Sequence, residues 1–523
     1  MRVLLPSVGD LIFLAMLATL LCTPLSTKLL GDGGIGWHIR TGQMIAATHQ
    51  IPRVDSFSST MSGRPWFAWE WLYDLVVGQL ELVAELNGVV WLTALTIAGV
   101  FSWTFRLLVQ RGVSLALALG LVLLAVSASM VHFLARPHVM SWLFTLLWIW
   151  ILDASESDGL AADGGIKQQN RKLWFLPLLM LVWVNVHGGF LVGFALLGIY
   201  WASAAYTWAK FRETRWEDAM IKLRASRRTK QLFIVGVFTL LATYFNPYGW
   251  RLYAHIYQYL TNRFLIDHID EFQSPNFHGV AERCFAALML ISLVALATRV
   301  RRVRLSEGLT VLFAVYSGLY AVRNVPVSSL LLVLVAGPLL EPRMSRMRLP
   351  LSGFWTRMKH IELNLNGHFW PIVGAVAAFS IAANGGNAGA KHLMDAHFGS
   401  PRFPVEAVNH FERGKTWGPI LAPDYWGGYL IYRLYPKTRV VVDDRHDFYG
   451  EDFLRDYVTM IHAERGWEKF LTEHHVCCVL APQGSALANI LAQSKDWKEV
   501  YRDDAAQAFE REYSPAYVQK AAP

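Results

Sequence analysis

Eleven apolar stretches divide this 523-residue chain, at roughly 8–27, 89–109, 113–131, 138–152, 173–187, 189–209, 232–246, 282–299, 308–322, 326–340 and 369–385. A helix of about 20 apolar residues crosses a ~30 Å hydrocarbon core with its backbone groups paired internally. The shorter stretches are expected to extend into their flanks or to be broken beside a cavity. Only 17% of the residues are charged, whereas soluble domains carry about 25%. The chain therefore reads as mainly α, a polytopic transmembrane bundle of about 11 spans.

Charge sets the direction. Lys210, Arg212, Arg215, Lys222, Arg224, Arg227, Arg228 and Lys230 crowd one loop. Arg299, Arg301, Arg302 and Arg304 crowd a second, and Arg343, Arg346, Arg348, Arg357 and Lys359 a third. Basic loops between spans face the cytoplasm. With the amino terminus inside, all three fall inside, while 28–88, 132–137, 247–281 and 386–523 fall outside. The net charge of +8 is thereby explained by topology, and no nucleic-acid partner is expected. Four cysteines, two in apolar spans and two adjacent in a probable strand, form no disulfide framework.

The boundaries follow from this pattern. Residues 1–385 form the membrane part, with the long outer loop 28–88. Within that loop, the aromatic run from Trp66 to Val77 is expected to form an interfacial helix. Residues 386–523 alternate strand and helix: Ile420–Pro423, Arg439–Val442 and Val476–Leu480 read as strands, Glu451–His474 and Ser485–Ser494 as helices. The tail is thus expected to be an extracytoplasmic α/β domain.

Polar clusters recur at the ends of the odd-numbered stretches, hence on one face. Asp32 lies in a Gly-rich turn after the first and could act as a base, hold a cation, or cap the helix near Trp37. His38, Arg40, Asp55 and Glu70 share its loop, and such clusters at a membrane face are often functional. Asp55 also suits a turn cap and Glu70 a solvated helix face. Arg136 and His138 flank a proline, and Arg323 stands at another outer helix end; arginines there can bind phosphate or snorkel to lipid. His187 precedes two glycines, as a ligand or as a structural histidine. In the tail, Trp426 sits in an aromatic-glycine run. Asp443, Asp444 and Arg445 follow a strand end, where acid pairs bind a cation or cap a helix.

These residues together carry a resemblance. Asp32, Trp37-His38, Thr41-Gly42, Pro52, Asp55, Phe57-Ser58, Arg64-Pro65-Trp66 and Glu70-Trp71-Leu72 match the pattern of bacterial membrane proteins of the dolichyl-phosphate-mannose–protein mannosyltransferase-like type. The chain thus resembles the GT-C superfamily of polytopic glycosyltransferases. Where that pattern often has a second acidic residue, this chain has Gly33 and Gly34. Trp426-Gly427-Gly428-Tyr429 resembles an element of oligosaccharyltransferases, but Asp424 precedes the aromatics, so the element's role does not transfer.

The resemblance implies a bacterial inner-membrane enzyme that transfers a sugar from a polyprenyl-phosphate donor to a glycan, lipid or protein acceptor outside the cytoplasm. Asp32 would be the base, with His38, Asp55 and Glu70 as further catalytic candidates. Arg40, Arg136, His138, His187 and Arg323 would bind substrate or phosphate. Trp426, Asp443, Asp444 and Arg445 would serve the acceptor or the tail's structure. A divalent cation, Mg or Mn, is compatible with the carboxylates. A lipid-linked-saccharide flippase needs the same arginines without a base, and an assembly subunit of a cell-envelope glycan complex needs neither.

Overall fold

A computed structural model describes residues 4–157, 171–210, 219–298, 302–344, 352–365, 368–413 and 418–512. Every apolar stretch is helical within them. Among the described residues, six helices are long and apolar enough to cross a membrane: Trp71–Gln110, Leu115–His132, His138–Glu156, Gly188–Lys210, Val280–Ala297 and Val322–Met344. The pair Gly353–Asn364 and Phe369–Ala383 makes a seventh if counted as one span. The chain is a multi-pass membrane protein. Arg212, Arg215, Arg299, Arg301, Arg346 and Arg348 of the basic loops lie outside the described residues.

Burial orders the bundle. Val322–Met344 and Trp71–Gln110 have 78% and 72% of their apolar windows buried, against 28% for Val280–Ala297. The first two therefore form the centre, and the last turns most of its surface outward. Helix Trp71–Gln110 is two helices joined at Ala84–Glu85, where Glu85 takes φ 49°. Its first arm begins at Trp71. Residues 66–69 are not helical: Trp66 N donates to Arg53 O at 2.9 Å, and Val54 bridges Pro65. Pro65 helps keep this segment extended by fixing its own φ and restricting Arg64.

The tail carries a four-stranded sheet in the order Ile420–Leu421, Cys478–Pro482, Ala506–Arg511, Trp497–Arg502. The first pair is parallel and the others antiparallel. Residues 439–442 contribute only isolated bridges, from Val440 to Ile420 and to Ser58. Those bridges join the loop before Trp71 to the sheet: Ser59 N donates to Val440 O at 2.8 Å and Thr60 Oγ1 to Val441 O at 2.7 Å.

Candidate functional site

Glycines bring the first loop into register with its neighbours. Helix Ile35–Thr48 crosses the arm of Trp71–Gln110 so closely that a Cβ on Gly42 would strike the Asp74 carbonyl, and one on Gly78 the backbone at Gly42 and Gln43. The crossing sets His38 Nδ1 2.5 Å from Asp74 Oδ1. On its other side the same helix packs on tail helix Asp424–Leu434, where a Cβ on Gly36 would run into the Gly428 carbonyl. The Asp32 Oδ1 atom accepts from Gly34 N at 2.8 Å, satisfying one free amide at that helix start.

These contacts enclose a cavity of about 390 Å³. Its walls come from the first loop (Glu70, Asp74), the 136–138 turn, the 187–189 turn, the segment 256–272, the helix end at Arg323, and the tail (Asp444, Arg445, Asp447). Trp37, the 136–138 turn, the 187–189 turn and Arg323, distant in sequence, thus meet in space.

Arg136 is the electrostatic hub. Its Nη1 lies 2.7 Å from Asp32 Oδ2 and 3.7 Å from Glu271 Oε1, and its Nη2 3.5 Å from Asp444 Oδ2. Burial opposes the guanidinium charge, but Asp32, Glu271 and Asp444 outweigh it and raise its pKa. Burial pushes Asp444 up to about 7 despite Arg136. Glu271 falls to about 2, because Arg136 and Arg323 overcome the effect of burial. Arg323 stacks 4.7 Å over Phe272 and makes no ion pair among the described residues.

Of the residues singled out in the sequence, Glu70, Arg136, His138, His187, Arg323, Asp444 and Arg445 line the cavity. Asp32 adjoins it through Arg136, and His38 stands behind it on Asp74. Arg40 faces elsewhere, with Nε donating to Tyr432 O at 2.9 Å. Asp55 and Asp443 are buried around Arg445, and Trp426 Nε1 donates to Arg402 O at 2.8 Å. Asp447, from the same tail run as Asp443–Arg445, is also in the wall, as are two acidic residues that the sequence patterns do not mark, Asp74 and Glu271. Asp74 lies four residues after Glu70, on the same helical face, which was an available signal. No group of three or more His, Cys, Asp or Glu among the described residues is arranged to hold a metal ion.

No protein-family model and no curated protein matches the chain. Among solved structures it is similar to the oligosaccharyltransferase of Archaeoglobus fulgidus in the apo form, at 11% identity and TM-score 0.50, covering 90% of this chain and 69% of that one. It is also similar to ArnT from Cupriavidus metallidurans bound to undecaprenyl phosphate, at 14% identity and TM-score 0.48, covering 96% of each chain. A third is AglB from Archaeoglobus fulgidus with an inhibitory peptide and a dolichol-phosphate, at 10% identity and TM-score 0.49, covering 90% of this chain and 69% of that one. The chain has the fold of the GT-C membrane glycosyltransferases.

Proposed function

We propose that the chain is an integral membrane glycosyltransferase. It moves a sugar from a polyprenyl-phosphate-linked donor to a glycan, lipid or protein acceptor outside the cytoplasm of a bacterium. One observation carries the reading: Arg136 and Arg323, from helix ends distant in sequence, line one cavity that also takes carboxylates from the first loop. The GT-C fold supports the same class of reaction.

The acceptor oxygen attacks the anomeric carbon, and Asp32 takes its proton. The bond from that carbon to the phosphate oxygen breaks, and the electron pair stays on the phosphate. Asp32 suits the role because its carboxylate is 2.7 Å from Arg136, so the proton acceptor and a phosphate-binding cation are neighbours. Arg323, free of ion pairs among the described residues, is the second cation for the departing phosphate. Fixed charges aimed at developing charge are an effective form of catalysis. Trp37, Trp66, Trp69 and Trp142 add flat apolar walls suited to a sugar ring. In this reading the tail 386–523 lies outside the cytoplasm and Asp444 and Arg445 face the acceptor.

The test is release of polyprenyl phosphate from a sugar-labelled donor by the reconstituted protein. Asp32→Asn should lower it about 10²–10⁴-fold, the usual contribution of a general base. Unchanged release by D32N would refute the base assignment.

A further inference from the structure

Backbone groups assign the ring nitrogens of His138 and His187. The amide of Gly189 donates to His187 Nδ1 at 3.0 Å, and an amide N–H only donates. Ser141 Oγ lies 2.8 Å from the same nitrogen; it accepts from Trp183 Nε1 at 2.8 Å, which leaves its own proton for His187. A ring that accepts at Nδ1 is neutral and carries its proton on Nε2. The His187-Gly188-Gly189 run permits this bond, since a Cβ on Gly189 would lie 2.5 Å from Ser141 Oγ and 2.8 Å from His187 Nδ1. His138 is the reverse case. Its Nε2 faces the His132 carbonyl at 3.0 Å, and a carbonyl only accepts, so the proton is on Nε2 and the neutral ring keeps a bare Nδ1.

Both rings line the cavity, 6.5 Å apart between centroids and inclined at 64°. Glu70 Oε1 is 3.9 Å from His187 Nε2, beyond hydrogen-bond length, so that N–H is not spent on it. The wall thus offers a donor and an acceptor side by side. A phosphate does not use both, because its ionised oxygens only accept. A sugar hydroxyl does, because it donates one proton and also accepts. We propose that His138 and His187 form the subsite for one hydroxyl of the donor sugar, which donates to His138 Nδ1 and accepts from His187 Nε2.

This inference rests on the transferase reading and names what the site selects: a sugar with a free hydroxyl at one position, not one deoxygenated or capped there. Arg136 stands two positions before His138, so the subsite adjoins the cation assigned to the phosphate that carries the sugar. Trp142, 5.7 Å from His138 between ring centroids, supplies an apolar surface next to it. Neither imidazole makes or breaks a bond. The pair determines specificity and holds the sugar in place.

Two substitutions separate this role from packing. Asn places a carboxamide oxygen near the position of an imidazole Nδ1, and Gln places an amide nitrogen near that of Nε2. His187→Asn therefore keeps the acceptor for Gly189 N and loses the Nε2 donor. His138→Gln keeps the donor to the His132 carbonyl and loses the Nδ1 acceptor.

Calorimetry on the full chain in detergent compares polyprenyl monophosphate with a panel of polyprenyl-phosphate hexoses and their monodeoxy forms. Wild type should bind a hexose lipid more tightly than the bare phosphate, and removal of one hydroxyl should weaken that binding about 5- to 150-fold. H187N and H138Q should each lose a similar factor for the hexose lipid and little more for the monodeoxy form, with unchanged affinity for polyprenyl monophosphate. Equal weakening of the bare lipid puts the pair in the phosphate site, and undiminished hexose binding makes it structural; either result overturns the inference. A wild type with no preference for any hexose lipid overturns it as well. The expected binding pattern in a protein that releases no polyprenyl phosphate overturns the transferase reading and leaves the subsite standing. A wild type that binds neither lipid overturns both.

Discussion

Arg445 Nη2 donates to Asp55 Oδ1 at 2.8 Å, across 390 positions of sequence. The same guanidinium binds both oxygens of Asp443 and lies over Trp66 at 4.6 Å and Phe448 at 5.1 Å. Asp55 in turn accepts from the amides of Phe57 and Ser58. Arg445 and Asp55 are 3% and 2% exposed, so one buried ion pair fastens the loop before Trp71 to the tail.

Removing one partner of a buried pair strands the other charge, at a cost of about 3–5 kcal/mol. Arg445→Ala is therefore expected to lower the melting temperature in detergent sharply, with Asp55→Ala close behind. Melting of both variants at the wild-type temperature would show that the pair is not structural.

The glycine seam makes a second demand. A methyl on Gly36 meets the Gly428 backbone, which cannot swing aside as a flexible side chain does. Gly36→Ala should cost about 1–3 kcal/mol by overpacking. Gly99→Ala, in open space within its helix, should be neutral or mildly stabilising. Equal melting of the two variants would contradict the close approach.

These relationships mark where the sequence was legible. The apolar stretches became helices, six or seven of them among the described residues long and apolar enough to cross a membrane, and the helix ends at Arg136, His187 and Arg323 met in one cavity. All three are marked in the sequence as polar residues at the ends of apolar stretches. Gly31–Gly36 reads as a Gly-rich turn, yet Gly33, Gly36 and Gly428 form a packing seam, since a glycine does not announce its distant partner. Helix Asp424–Leu434 hid in a run noticed for its aromatics. Strands Trp497–Arg502 and Ala506–Arg511 carry too many charges to resemble buried strands. Glu271 sits in a single 3-10 turn, Asp270–Phe272, too short to show periodicity, so only the fold brings it to Arg136.

Arg323 should matter for binding more than for folding. Its loss removes a charge-assisted contact worth about 1.5–3 kcal/mol. Arg323→Ala is expected to weaken polyprenyl-phosphate binding about 10- to 150-fold, with melting little changed. Unaltered affinity by calorimetry in detergent would remove Arg323 from the phosphate site.

The tail should be most stable in mild acid. His446 Nε2 lies 2.6 Å from Asp424 Oδ2. Burial disfavours the imidazolium, but the hydrogen bond and charge of Asp424 outweigh it and raise the His446 pKa. Burial likewise disfavours the carboxylate, but His446 and Tyr457 lower the Asp424 pKa. A raised histidine gives stability that is complete below its unfolded value of about 6.5 and lost as pH rises through the folded value. A lowered aspartate gives stability present above about 3.9 and lost as pH falls through its folded value. Between those limits both contributions hold. Wild type should lose stability above about pH 6.5 more steeply than His446→Gln. Parallel curves would contradict the pairing.

The proposed reaction breaks the bond between sugar and lipid phosphate. Purified protein in liposomes, given a polyprenyl-phosphate sugar labelled in the sugar together with a bacterial envelope extract as acceptor, provides the direct measurement. Transfer of label to acceptor, with stoichiometric release of polyprenyl phosphate and loss of both in Asp32→Asn, is the expected result. Wild-type protein that binds the donor yet leaves the sugar on its lipid across a panel of donors and extracts would contradict the account.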